Sequence, residues 1–127
     1  MANQEHHEEL IKGISEQLAL VLKKSKQAVY IYLDDTHKVC NEKFAKLLGY
    51  RAAKEWAAIH MPLSDVDEAS RDDVVAAYEK ATEKFMASSL DIALRNVKTN
   101  NLIKVRMIIA PMVYMGHVFA IHFLSEV

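Results

Sequence analysis

The first 26 residues carry a helical pattern of apolar positions, and the pattern changes after that. Over residues 4–24 apolar side chains recur at spacings of three, four and three, at Ile11, Ile14, Leu18 and Val21. Leu10 and Leu22 widen this stripe. This spacing predicts an amphipathic helix, interrupted only by Gly13. It also fits the a/d pattern of a coiled coil, so the helix is expected to pack either on the chain's own sheet or on a second copy of the chain.

The segment after Gln27 has the composition of a β-hairpin. Residues 28–33 are rich in β-branched and aromatic side chains, and a polar turn at residues 34–37 leads into a short strand over residues 38–40. Asn41 is placed to cap the following helix, and Gly49 supplies the left-handed residue that ends it. A second short helix is predicted over residues 52–59.

A long helix and three strands complete the pattern. Ser70 and Asp73 resemble a capping box at the start of a helix over residues 71–86. Its predicted buried stripe contains Val74, Tyr78, Ala81 and Phe85. Strands are predicted over residues 89–97, 102–113 and 117–124. Strands at both ends with helices between them predict an α+β fold, in which a five-stranded antiparallel sheet carries helices on one face.

Composition narrows the class of protein. A chain of 127 residues with 51% hydrophobic and 26% charged residues fits one globular domain. The net charge of -1 gives no general attraction for nucleic acid, and no apolar run is long enough to span a membrane. Cys40 is the only cysteine, so an intrachain disulfide is excluded. The acidic, polar N-terminus is unlike a signal peptide, which predicts a cytoplasmic protein.

One stretch carries a family resemblance. The pattern Asn41-x-x-Phe44-x-x-Leu47-Leu48-Gly49-Tyr50, after a hairpin and before a short helix, resembles the signature of the PAS domain family. The similarity continues through the hairpin, the segment RDDVVAAYEKA and the last two strands, over about residues 27–124. It implies a PAS-like domain at residues 27–127, preceded by an N-terminal helix at residues 1–26 that serves in packing or dimerisation. The turn at residues 98–101 departs from the family's usual Lys-Asp-Gly, so no subfamily is indicated.

The resemblance also implies where a ligand would bind, because PAS domains hold ligands between the sheet and the helices. By analogy, the inner face of the first hairpin is predicted to carry Val29, Ile31, Leu33 and Val39. The opposite wall of the pocket is predicted from residues of the helical segments: Phe44, Leu48, Trp56, Ile59, Met61, Val75 and Tyr78. His60 is the candidate polar group at the pocket mouth. The same apolar pattern also fits a core filled by its own side chains.

The sequence lacks the residues that bind the cofactors of the family's better-known branches. A flavin–cysteine adduct needs a cysteine after the short helices, and residues 61–70 contain none. A haem sensor needs a histidine on the long helix, and residues 71–86 contain none. Cys40 is expected to be a small buried side chain. His6 and His7 lack metal-site spacing, and His37 and His117 are predicted to lie in exposed turns, so no metal site is predicted.

Two functions remain open. One is a sensory signal-transduction module that binds a small molecule and passes the change through its N-terminal helix to a signalling partner. The other is a ligand-free interaction or homodimerisation module. Its interface would be formed by apolar helix residues and the outer sheet face: Leu10, Ile11, Ile14, Leu18, Val21, Tyr30 and Tyr32. Without a nucleophile elbow or a phosphate-binding glycine loop, an enzyme is not predicted.

Overall fold

The structure is a computed structural model that describes residues 2–127; Met1, the first residue of the predicted N-terminal segment, lies outside the described residues. Ten helices and strands form the described chain, and short 3₁₀ turns precede the last of the helices. In chain order they are α1 (Ala2–Gln17), α2 (Ala19–Lys24), β1 (Ala28–Asp34), β2 (His37–Cys40), α3 (Glu42–Leu47), α4 (Ala53–Ala57), α5 (Arg71–Lys84), β3 (Ser88–Arg95), β4 (Leu102–Tyr114) and β5 (His117–Glu126).

The strands form one antiparallel sheet in the order β2-β1-β5-β4-β3. The two terminal segments of the domain therefore meet at its centre, where β1 pairs with β5 and Tyr30 lies opposite His122. Because all neighbouring strands are antiparallel, tight turns join β1 to β2 and β4 to β5. The predicted α+β fold with a five-stranded antiparallel sheet is confirmed.

The two faces of the sheet have separate cores. Helices α3, α4 and α5 cover one face, where Trp56 and Phe44 pack against the strands. Helix α1 covers part of the other face, where Leu10 and Ile14 are buried against Ile31 and Phe119. The N-terminal helix thus packs on the chain's own sheet, one of the two arrangements that its spacing allows.

Several local predictions were accurate because their signals are local. Asn41 caps α3: its side-chain Oδ1 accepts from the backbone N–H of Phe44 at 3.0 Å and also from that of Val29 at 3.0 Å. Its Nδ2 donates to the carbonyl of Gln27 at 2.9 Å, so one side chain joins β1 to α3. Gly49 ends this helical segment with a φ of +90°, a conformation that favours glycine.

Other local predictions were wrong. The N-terminal helix continues through Gly13 and breaks at Leu18 instead. Ser70 does not cap α5, because its hydroxyl accepts from the backbone N–H of Ala93 at 3.1 Å on the neighbouring strand. Phe85 is exposed, since the chain turns into a left-handed residue there and leaves the helix. Ala77 takes a buried position in the stripe with Val74 and Ala81.

Candidate functional site

A cavity of about 210 Å³ lies between the sheet and the helices α3, α4 and α5. Its wall is mainly aromatic and aliphatic, and it contains no Asp, Glu, Lys or Arg side chain. The lining residues are Tyr30, Tyr32, Phe44, Leu48, Trp56, Pro62, Leu63, Val74, Val75, Tyr78, Ile92, Leu94, Met107, His122 and Leu124. A mainly apolar wall of this kind favours an uncharged ligand, because a charge placed against it without a partner is costly.

The faces of β1 and β2 are the reverse of those predicted: the face expected to point outward forms the floor of the cavity. Tyr30 and Tyr32 line the cavity, and Cys40 belongs to the helix-side core. The predicted pocket residues Ile31, Leu33 and Val39 lie on the opposite face, in the core formed with α1, and so does Val29 by strand alternation. The alternation itself was right. The error was to assume that the aromatic face would be the one covered by the N-terminal helix.

The residues predicted for the helical wall of the pocket fall into two groups, those that line the cavity and those that do not. Phe44, Leu48, Trp56, Val75 and Tyr78 line the cavity. Ile59 packs against the helix-side core without reaching the lining, while His60 and Met61 are exposed. These last three follow the end of α4, where the chain turns outward before the 3₁₀ turn at Pro62–Asp65.

His122 is the polar cavity residue that sequence reasoning missed. It lies on β5, and its ring stacks on that of Tyr30 with centroids 3.7 Å apart and an interplanar angle of 10°. Its Nδ1 lies 3.3 Å from the Tyr30 carbonyl oxygen. Burial lowers the pKa of His122 to about 3, so the ring is neutral at physiological pH. The alternation of Ala120, His122 and Leu124 on one face of β5 was the available signal.

Two further tyrosines give the cavity a polar edge. The Tyr78 hydroxyl donates to the carbonyl oxygen of Leu33 at 3.3 Å, and the Tyr32 hydroxyl donates to the Asp35 carboxylate. The rings of Tyr32 and Tyr78 meet edge to face with centroids 5.2 Å apart. Burial raises the pKa of each phenol, as it does for Tyr30, so all three hydroxyls stay protonated.

Beside the cavity, the Lys38 ammonium fixes α4 against the hairpin. It donates to the carbonyls of Asp35 at 2.6 Å, Ala57 at 3.1 Å and Ile59 at 2.6 Å, and it lies 5.1 Å from the Trp56 ring centroid. Burial lowers the pKa of Lys38. These bonds hold the end of α4 in place, so that the Trp56 side chain stays in the cavity wall.

Cys40 is buried, as predicted, although on the helix side of the sheet. Burial raises the pKa of its thiol to about 12, so the thiolate is not available for nucleophilic chemistry at neutral pH.

The predicted dimer interface is also changed by the fold. Leu10 and Ile14 are buried within the chain, and Ile11 and Leu18 are partly buried against the same core. Tyr30 and Tyr32 line the cavity and cannot contribute to an outer interface. Of the predicted set only Val21 is exposed.

A five-stranded antiparallel sheet with a cavity under its helices is the arrangement of a PAS domain. The chain superposes on a PAS domain from a two-component sensor histidine kinase with a TM-score of 0.66 and 14% identity, covering 91% of this chain and 99% of that one. The PAS domain of an HTR-like protein from Haloarcula marismortui gives 0.64 and 12%, with 97% and 99% covered. The chain therefore has the PAS fold.

A larger protein provides a third comparison. VqmA bound to DPO matches with a TM-score of 0.69 and 13% identity, covering 88% of this chain and 57% of that one. No protein-family model and no curated protein sequence matches the chain. Among the described residues, no helix combines the length and apolar character needed to cross a membrane.

Proposed function

We propose that this protein is a non-catalytic sensory PAS module that binds a small, neutral, largely planar molecule in the cavity. The observation that carries the proposal is an uncharged, mainly aromatic wall in which Tyr30, Tyr78 and His122 supply the polar groups. The volume of about 210 Å³ is below the roughly 300–1,000 Å³ of drug-sized sites, which favours a small metabolite. The comparison with VqmA bound to DPO and with a sensor-kinase domain supports a ligand-responsive role.

Hydrogen bonding sets the orientation of such a ligand. Nδ1 of His122 is used by the backbone, which leaves Nε2 as the ring atom available to a donor group. The Tyr30 hydroxyl has only a weak acceptor, the Met107 sulfur at 3.8 Å, so a ligand carbonyl or ring nitrogen would be a better partner. A ligand that offers one donor and one acceptor on a flat ring fits both.

The path to the N-terminal helix is short, because it crosses a single layer of sheet. Tyr30 faces the cavity and the next residue, Ile31, contacts the core formed with α1. A ligand that moves the Tyr30 side chain therefore acts on the packing of Ile14 against Ile31. We propose residues 1–26 as the output segment and residues 27–127 as the sensing domain, with a signalling protein as the receiver.

Filling the cavity mouth tests the proposal. Val75 lines the cavity and Val97 does not, while both are surface valines, 37% and 48% exposed. The experiment screens neutral heterocyclic metabolites by thermal shift and native mass spectrometry. A hit should stabilise the wild type and Val97→Trp, and it should fail with Val75→Trp. If no compound binds, or if both variants bind equally well, the cavity is not a ligand site.

A homodimer is the second candidate. Leu20 on α2 is 67% exposed and Ile108 on the outer face of β4 is 44% exposed, so apolar surface remains beyond the area that α1 covers. We propose that these residues meet a second copy of the chain. Sedimentation should show a dimer that Leu20→Ser weakens. Met115→Ser, at a residue 73% exposed in the β4–β5 turn, should leave it intact. A wild-type monomer at micromolar concentration would exclude this candidate.

A further inference from the structure

Histidines from separate parts of the chain converge on one carboxylate at the end of the sheet. Asp34 ends β1 and accepts from Nδ1 of His7 on α1 and from Nδ1 of His37 on β2, each at 2.7 Å. The ligand atoms of His7, Asp34 and His37 all lie within 4.8 Å of one another. His37, predicted to be exposed, is in fact buried. The three residues form what we call the Asp34 cluster.

Two more histidines border the Asp34 cluster. Nε2 of His6 lies 2.8 Å from Nε2 of His117, which begins β5. The ring centroids of His7 and His117 are 6.5 Å apart, and those of His7 and His37 are 5.6 Å apart. Four imidazole rings therefore gather around one carboxylate. Hydrogen bonding to Asp34 accounts for only two of them.

We propose that the Asp34 cluster binds a divalent transition-metal ion of the zinc type. Two imidazole nitrogens and one carboxylate oxygen are a donor set that Zn²⁺ accepts, with a fourth position left for water or for an adjacent imidazole. The present spacing is close to that of ligands around one ion, since metal–ligand bonds of about 2.0–2.1 Å put neighbouring ligand atoms somewhat over 3 Å apart. To bind the ion, each imidazole takes the tautomer that carries its proton on Nε2, so that Nδ1 offers its lone pair to the metal instead of donating to Asp34.

The surroundings of the carboxylate are already ordered for such a role. Asp34 Oδ1 accepts from the backbone N–H of Thr36 at 3.0 Å, which fixes the carboxylate within its own turn. The Thr36 hydroxyl, 3.2 Å from His37 Nδ1, would turn away from that nitrogen when it binds the ion. The bond from the Thr36 N–H to the carboxylate is of the kind that orients a metal ligand and supports its affinity.

An ion at this position would attach the start of α1 to the hairpin turn. His7 comes from the helix, while Asp34 and His37 come from β1 and β2. The ion would therefore favour the docked position of α1 and oppose its release from the sheet. This site is distinct from the cavity, because none of its three residues lines the cavity wall, and it can be present whether or not the cavity binds a ligand.

Calorimetric titration with zinc chloride alone tests the site. The protein is used as the full chain, free of any affinity tag and stripped with a chelator. We expect one equivalent of zinc to bind, and we expect His7→Ala and Asp34→Asn each to lower the affinity at least tenfold. His60→Ala is the matched control, since His60 is an exposed histidine that is not part of the Asp34 cluster. It should leave the affinity unchanged.

Cobalt substitution provides a second readout, because a purely structural role of the Asp34 cluster would not produce a Co²⁺ spectrum. Co²⁺ in a site with imidazole and carboxylate ligands should give visible d–d bands that are absent in His7→Ala and retained in His60→Ala. Far-UV circular dichroism of each variant checks that the chain is folded. Equal zinc affinity in His7→Ala and His60→Ala, or no stoichiometric binding by the wild type, overturns the proposal.

Discussion

Tyr30 and His122 face each other across the central pair of strands and stack with ring centroids 3.7 Å apart. Both rings lie on the cavity side of the sheet, where His122 is buried and Tyr30 is partly buried. The stack places an aromatic surface and a neutral imidazole side by side on the cavity floor. It therefore couples the chemistry of the cavity to the pairing of β1 with β5, and it has a consequence for stability at acid pH.

Replacing His122 by phenylalanine should reduce the loss of stability on acidification. Burial lowers the pKa of His122 to about 3, from the ordinary value of 6.5. Between these pH values the unfolded chain binds a proton at His122 and the folded chain does not. Protonation of the unfolded chain therefore costs no stability above pH 6.5, and the free energy of unfolding falls as the pH drops from 6.5 toward 3. By pH 5 the loss from this group is about 2 kcal/mol. Urea unfolding at pH 7.5 and pH 5 measures it.

Comparing the wild type with His122→Phe isolates the effect of His122, because the histidines and the carboxylate of the Asp34 cluster are present in both. If the profile of His122→Phe runs parallel to that of the wild type, the folded chain accommodates the imidazolium and the assignment of a strongly lowered pKa is wrong.

A change from Gly13 to Ala should loosen the docking of α1. In an exposed helix this substitution stabilises by about 1 kcal/mol, because alanine is the better helix former. Here a Cβ at Gly13 would overlap the phenolic oxygen of Tyr114 and lie 2.9 Å from its Cζ. We expect a net loss of about 1–2 kcal/mol, together with faster hydrogen exchange in α1.

Removing the Tyr114 hydroxyl provides the internal check. In a Tyr114→Phe background, Gly13→Ala should cost less than in the wild type, since the closest atom is gone. Gln17→Ala, at an exposed position on the same helix, should have little effect. An unchanged cost in the double variant would mean that the contact between the helix and Tyr114 does not limit docking.

Gly49 and Gly116 form a matched pair for separating backbone strain from steric overlap. Both have positive φ, +90° and +77°. A Cβ at Gly49 would lie 2.5 Å from Oδ1 of Asn96, whereas a Cβ at Gly116 meets no atom within 4 Å. Each change to alanine should cost about 1 kcal/mol or more from strain, and Gly49→Ala should cost at least about 1 kcal/mol beyond Gly116→Ala.

The extra cost at Gly49 has an identifiable source. Asn96 Nδ2 donates to the carbonyl of Leu47 at 3.2 Å, and its Oδ1 accepts from the backbone N–H groups of Lys98 and Thr99 at 2.8 and 3.0 Å. A methyl group at Gly49 displaces this side chain and releases those bonds. Denaturation midpoints at constant m-value decide the comparison, and equal losses in the two variants would contradict it.

Lys38→Met should destabilise the domain by about 2–3 kcal/mol, because three backbone carbonyls lose a charged donor. The same change at Lys54, an exposed lysine of α4, should have an effect within about 0.5 kcal/mol. Trp56 fluorescence reports both unfolding and any change in the cavity wall. A loss at Lys38 no larger than that at Lys54 would show that water replaces the ammonium without cost.

The prediction of the two short helices illustrates what sequence alone can determine. Asn41 and Gly49 mark a start and a stop through bonds and backbone angles that involve only nearby residues. The period-2 pattern of β1 separates its two faces for the same reason. The order of helices and strands, and from it the α+β fold, follows from such local signals.

Tertiary packing decided which face of the sheet encloses the cavity and which polar groups meet. Alternation separates Tyr30 from Ile31, but both faces of this sheet are covered by helices, so composition alone could not assign the inner one. His122 reaches the cavity through the pairing of β1 with β5, and His7 meets Asp34 only because α1 docks across the hairpin. These contacts join residues 92 and 27 positions apart. Residues so distant in sequence become neighbours only when the whole sheet has formed.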